Sequence, residues 1–184
     1  EGSFCSAMRD ASVRGLRAAG HTVDVIDLAA RQFNPVMPTS EWNTYREGNG
    51  VIPVGLEHDV ELIETAEIIV FVYPTWWGGL PAQLKGWLER VMLPGIAFIF
   101  NEKNKVRPGL RNIRHIHIAS TFGSPWLYVR FVNDNGRRIL ARAFRLNTSL
   151  RTKVSTSSLY AMDKATDNSR KSFLLSLEKK MENL

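Results

Sequence analysis

Apolar positions along the chain switch between two periods. From Ser3, the residues Phe4, Ala7, Met8, Ala11 and Leu16 recur at helical spacing until Gly20, which is suited to ending a helix in a left-handed conformation. His21 to Leu28, carrying Val23, Val25, Ile26 and Leu28, reads as a strand. The polar stretch from Ala29 to Gly55, punctuated by Pro35, Pro38, Gly48, Gly50 and Pro53, reads as a long loop. Leu56 to Ala66 places Leu56, Val60 and Ile63 on one helical stripe, and Ile68 to Tyr73 is an unbroken apolar run of strand length. Pro81 stands where a first helical turn favours proline, and Leu84, Trp87, Leu88 and Val91 continue the stripe up to Pro94-Gly95. Beyond it, His115–Ala119 predicts a strand, Leu127–Phe144 a helix interrupted by Gly136, Val154–Tyr160 a strand, and Thr166–Leu184 a closing helix.

Strands separated by helices imply parallel pairing through crossovers. The expected fold is therefore α/β, a doubly wound parallel sheet with helices on both faces, in one domain spanning residues 1–184. A doubly wound sheet normally places a strand before its first helix, yet here a helix begins almost at residue 1. The expectation is that the first strand is missing because the sequence is an N-terminally truncated segment, since a sheet without it would leave backbone groups unpaired.

Composition narrows the class. With 184 residues, 44% of them hydrophobic, the chain can close a core without disulfides, and its only cysteine, Cys5, cannot form an internal bridge. A reducing, cytoplasmic setting is the default expectation. No apolar run reaches the roughly 18 residues needed to span a bilayer, so stable membrane insertion is not expected. The net charge of +6 is uneven: residues 1–84 hold 5 basic and 11 acidic side chains, residues 85–184 hold 19 and 7. Such asymmetry suits an anionic ligand, but the charges are scattered and no aromatics interleave with them, so solvated helix faces account for them and nucleic acid is not an expected partner. His115 and His117 alternate on one strand face; without a nearby Cys or carboxylate they argue for a structural role, and no metal is expected.

Chemistry is expected at the strand-to-helix turns, because open α/β sheets bind ligands beyond the carboxyl ends of their strands. Gly2-Ser3-Phe4-Cys5 offers a hydroxyl and backbone N–H groups at a helix N-terminus, which attract phosphate, though a serine N-cap explains the same residues. Tyr73-Pro74-Thr75-Trp76-Trp77-Gly78-Gly79-Leu80-Pro81 is the most informative stretch. Adjacent tryptophans in a turn cannot both enter one core, whereas indoles beside glycines suit the edge of a planar conjugated ring or a subunit interface. Ser120-Thr121-Phe122-Gly123-Ser124-Pro125-Trp126-Leu127-Tyr128 supplies hydroxyls, a glycine and aromatics that could form the opposite wall.

The second stretch, with the helix that follows it to Val91 and Gly95-Ile96-Ala97-Phe98 beyond, resembles the flavin-ring loop of the NAD(P)H:quinone oxidoreductase family. Ser3-Phe4 resembles that family's flavin phosphate turn, and Ser120–Gly123 with Tyr128 its third flavin loop; the likeness is strongest over residues 66–128. It implies a flavodoxin-like fold in which Ser3, Phe4, Cys5 and Ala7 hold the phosphate and ribityl end of FAD or FMN. Pro74, Thr75, Trp76, Trp77 and Gly78 would meet the isoalloxazine edge, and Ser120, Thr121, Phe122 and Gly123 the pyrimidine side. Tyr128 would be the catalytic residue, hydrogen-bonding to charge that develops on the reduced ring. The implied activity is hydride transfer from NAD(P)H through the flavin to a quinone or similar acceptor, in a homodimer whose second subunit completes the pocket. The chain departs from the family pattern in having Cys5 in place of Asn, Phe122-Gly123 in place of Gly-Gly, and no histidine after Tyr128, where Arg130 is a candidate substitute. A flavin-binding regulatory subunit of a potassium efflux system would carry the same loops. A flavodoxin-type electron carrier is disfavoured by the pI near 9.7.

Overall fold

The structure is a computed structural model that describes residues 2–47 and 51–184; Gly48 and Gly50 of the expected long loop lie outside the described residues. Three parallel strands form the sheet. β1 (Ile68–Pro74) pairs with β4 (His115–Thr121), and β4 with β5 (Lys153–Leu159), in the order β1-β4-β5. Between them come α4 (Ala82–Val91) and a short antiparallel hairpin of β2 (Phe98–Phe100) and β3 (Val106–Pro108) that the sequence reading did not anticipate. The register aligns Tyr73 with Ser120 and Ser120 with Ser158, so the three strands end at one level.

Helices cover both faces. α1 (Phe4–Ala18) and α7 (Asp167–Met181) pack on one side, where Met8, Leu16, Leu177 and Met181 meet Ala119 and the even-numbered Ile68, Val70 and Val72 of β1. Phe71 and Tyr73 face the other side, against α3 (Glu57–Thr65), α4 and the π-helical segment Ile139–Phe144. This alternation of β1 between two apolar layers is why its sequence reads as an unbroken apolar run. The expected doubly wound α/β architecture is thus present.

Three local expectations need correction. His21–Leu28 forms no strand. Val23 packs with the α1/α7 layer and Ile26 and Leu28 with the opposite one, so the alternation reports burial between two layers. A strand also needs a backbone partner, and among the described residues none pairs with this segment. The loop over residues 29–55 contains a helix, α2 (Thr39–Glu47), docked by the paired hydrogen bonds of Arg90 to Glu41 at 2.8 and 2.6 Å. The single helix expected over Leu127–Phe144 is broken into α5 (Trp126–Phe131), α6 (Asn135–Arg138) and the π-helical segment. The break falls at Asn133 and Asp134, both with positive φ (78° and 43°), rather than at Gly136.

Among the described residues no helix is long and apolar enough to cross a membrane. His115 and His117 share the face of β4 toward α1 and α7. His115 Nε2 and His117 Nδ1 each lie 2.7 Å from the Ser155 hydroxyl of β5, and among the described residues no group of three potential ligands could hold a metal ion. Burial, with the charge of Lys180 added, lowers the pKa of His117 to about 3, so it is neutral in the folded protein.

Candidate functional site

The ends of β1 and β4 and the start of α1 converge. The Thr75 amide donates to the Thr121 carbonyl at 2.9 Å, continuing the β1–β4 pairing one step past the strands. Cys5, in the first turn of α1, lies against the Thr121 side chain; burial pushes its thiol pKa up, and the hydrogen bond to Thr121 opposes the shift. Ser3 caps α1, its hydroxyl accepting from the Ser6 amide at 3.1 Å. With that hydroxyl occupied, the amides of Phe4 and Cys5 are the donors left at the helix start, where no intrahelical acceptor is available. The helix start borders a cleft of about 510 Å³ lined by Ser3, Phe4, Ser6, Ala7 and Asp10 of the α1 region and by Met162 and Arg170.

After β1, Trp76 to Gly79 close a tight turn in which the Gly79 amide donates to the Trp76 carbonyl at 2.8 Å and the Trp76 amide donates back at 3.3 Å. Both central residues have positive φ, 47° at Trp77 and 67° at Gly78, the backbone of a type I′ turn. Glycine adopts this freely; a tryptophan there is strained by about 1 kcal/mol and is held by the turn's two hydrogen bonds. The strained geometry throws the Trp77 side chain wholly into solvent, at 103% relative exposure. It also leaves the amides of Trp77 and Gly78 without an acceptor among the described residues. Beside them the Thr75 hydroxyl is buried and has no partner among the described residues. A buried hydroxyl beside two amides, all without partners among the described residues, is a donor set able to hold the polar edge of a ligand.

The third loop is less open. Ser120 is fully buried, its hydroxyl 3.2 Å from that of Ser158. Phe122 turns inward and stacks on Tyr160, centroids 5.0 Å apart and planes 13° from parallel, while its amide and carbonyl bond to Leu159 and Met162. At Gly123 a Cβ would come 2.9 Å from an Asp163 carboxylate oxygen. Tyr128 lies exposed on α5 beside exposed Trp126, Leu127 and Phe131, and Arg130 stacks its guanidinium 5.9 Å from the Trp126 ring centre. The structure therefore brings Cys5, Thr75 and Thr121 together, with Ser3 at the cap of the same helix as Cys5 and the Trp76–Gly78 turn following Thr75. It turns the side chains of Ser120 and Phe122 away from the cleft and sets Tyr128 on an open surface.

A fourth element, absent from the sequence reading, completes the arrangement. The loop after β5 delivers Tyr160, Met162 and Asp163, and α7 delivers Arg170. Arg170 donates to the Met162 carbonyl at 3.3 Å, whereas its Nε is buried with no partner among the described residues. A cation so placed beside the free amides of α1 matches a phosphate. The signal available in the sequence was topological: a third parallel strand must end at the same edge as the first two.

These features coincide with a family match over residues 1–145, to proteins of flavodoxin-like fold. The chain belongs to this family. Among relatives of the flavodoxin-like fold family it is 29% identical over 143 residues to the rat protein named NAD(P)H dehydrogenase [quinone] 1, covering 68% of this chain and 51% of that one. The chain thus spans about half the length of that relative. Among solved structures, a protein from Streptococcus mutans superposes with a TM-score of 0.85 at 25% identity, covering 100% of this chain and 94% of that one. An NAD(P)H:quinone oxidoreductase from Methanothermobacter marburgensis superposes with a TM-score of 0.81 at 22% identity, covering 100% and 90%. The resemblance to NAD(P)H:quinone oxidoreductases read from the Trp76-Trp77 motif is borne out by these relatives.

Proposed function

We propose that this chain binds FMN or FAD without a covalent bond and uses it to carry reducing equivalents from NAD(P)H to a quinone or similar acceptor. The observation that carries the reading is the Thr75–Gly78 donor set at the carboxyl end of β1, a buried hydroxyl and two amides without partners among the described residues, tied through Thr121 to Cys5 in the first turn of α1. In this assignment the α1 amides of Phe4 and Cys5, with Arg170, hold the flavin phosphate. Trp77 and Gly78 amides and the Thr75 hydroxyl donate to the polar edge of the ring, and the Trp76 and Trp77 indoles shield it from water. The flavin supplies the redox chemistry when bound. The protein contributes orientation, desolvation and donors aimed at the ring positions that become electron-rich. Tyr128, solvent-facing on α5, is assigned to donate a hydrogen bond to the reduced ring once a second subunit covers this surface. The exposed aromatic cluster of Trp76, Trp77, Trp126, Tyr128 and Phe131 is assigned as part of that homodimer contact.

The test is a visible spectrum of the purified protein, acid release of the chromophore with chromatography against FMN and FAD, and NAD(P)H oxidation with a quinone. Bound flavin with turnover is expected, and the chromatography names the flavin. Flavin without turnover would move the assignment to a regulatory subunit, and no uptake on reconstitution would overturn it. Trp77→Ala is expected to empty the site while leaving the fold intact, because the indole makes no core contact.

A further inference from the structure

Behind the Trp76–Gly79 turn lies a segment held more tightly than a connection between two helices requires. Asn133 and Asp134 both carry positive φ, a conformation that few residues other than glycine, asparagine and aspartate adopt. Asp134 is 97% buried by side chain and backbone together, with only 3% of its surface exposed. Its carboxylate accepts from the Arg137 amide at 3.3 Å and from Arg137 Nε at 2.6 Å, and so caps α6. That cap aims the first amide of α6, Asn135 N–H, at the Gly78 carbonyl, where it donates at 3.1 Å. The next residue, Gly136, lies so close to the turn that a Cβ would stand 3.0 Å from the Gly79 carbonyl carbon. Under the same turn the buried Tyr73 hydroxyl has no partner among the described residues, and the charges of Asp134 and Arg137 both act on it.

Capping so short a helix does not by itself call for a buried carboxylate, two successive left-handed residues and a glycine contact. What they achieve together is a fixed Gly78–Gly79 peptide. We propose that Asp134 is a positioning residue for the flavin-facing turn: through the α6 cap it clamps the Gly78 carbonyl with the Asn135 amide, which fixes the Gly78–Gly79 peptide that closes the turn and thereby holds the left-handed backbone that presents the Trp77 and Gly78 amides. This rests on the flavin reading given above. Asp134 touches neither flavin nor substrate; it acts through Asn135 and Gly78.

Two variants separate geometry from charge. Asp134→Asn keeps a capping oxygen and tolerates the left-handed backbone, whereas Asp134→Gly keeps the backbone freedom and deletes the cap. In the flavin-free protein, hydrogen exchange at the Asn135 amide is expected to rise at least tenfold in Asp134→Gly, with β1 and β4 amides unchanged, and to stay near wild type in Asp134→Asn. In the loaded protein, Asp134→Gly is expected to weaken flavin binding about tenfold and shift the bound flavin's midpoint potential and visible maxima, and Asp134→Asn is expected to restore all three. Equal shifts in both variants would overturn the proposal in favour of a direct charge effect. Unchanged potential and spectrum in a loaded Asp134→Gly would reduce Asp134 to a helix cap. If wild type itself binds no flavin, the flavin reading fails and this proposal with it, whereas the other two outcomes leave that reading standing.

Discussion

Arg170 is the residue on which the proposed phosphate end of the site turns. Its Nε is buried and without a partner among the described residues while the rest of the guanidinium is tied to the Met162 carbonyl and to Asp167, 3.6 Å away, so the group is oriented before any ligand arrives. Arg170→Gln is expected to weaken flavin binding about tenfold, roughly 1.4 kcal/mol, measured by equilibrium titration, with little change in melting temperature. The position could not be recognised from the sequence, because Ser3 and Ser6, with which it lines the cleft, lie more than 160 residues earlier and no local pattern links them. Trp77 was legible for the opposite reason. A Trp-Trp-Gly-Gly turn is a local signal, and two indoles that cannot share one core must be placed outside it. Phe122 lies between these cases: the sequence put it in the right loop, but stacking on Tyr160 decided which way it faces.

At the scale of elements, close approaches govern the packing. α1 crosses α7 at Gly15, where a Cβ would fall 2.3 Å from the Glu178 carbonyl oxygen and 2.7 Å from Met181 Cβ. Gly15→Ala is therefore expected to push the helices apart and destabilise the protein by about 1–3 kcal/mol in urea unfolding. On the opposite face, the stretch after residue 28 is pinned by Arg31, which pairs with Asp59, itself 1% exposed and accepting from Trp87 Nε1 at 2.6 Å. Arg31→Leu strands that carboxylate. A loss of about 2 kcal/mol is expected, less than for a fully buried pair because Arg31 is partly solvated. The helices and strands with strong periodicity were readable because burial on one stripe or between two layers repeats along the chain. His21–Leu28 shows the limit of that rule: side-chain alternation records which layers a segment touches, and hydrogen-bonded pairing depends on a neighbour that the segment's own sequence does not encode. α2 was hidden for a related reason, since its polar residues are fixed by Arg90, over 40 positions away.

For the whole molecule, the histidine pair on β4 sets a pH dependence. The folded pKa of His117 is depressed to about 3, with burial the leading cause, against about 6.5 for a free histidine; burial also lowers that of His115. The unfolded chain therefore binds protons that the folded one refuses. Stability is complete above roughly pH 6.5 and falls as the pH drops from there toward 3, by up to about 1.4 kcal/mol per unit from His117. Melting curves between pH 7 and 4 should show this slope, and His117→Gln should flatten it.

α7 takes part in both the core and the cleft. Its Leu177 and Met181 are sealed in the core while Arg170, roughly 10 and 16 Å back from them along the same rigid rod, lines the cleft. The helix cannot loosen at one end and keep its grip at the other. Occupancy of the cleft and docking of the C-terminal helix are consequently linked equilibria, so saturating ligand should slow amide exchange along α7 even at residues that never approach it.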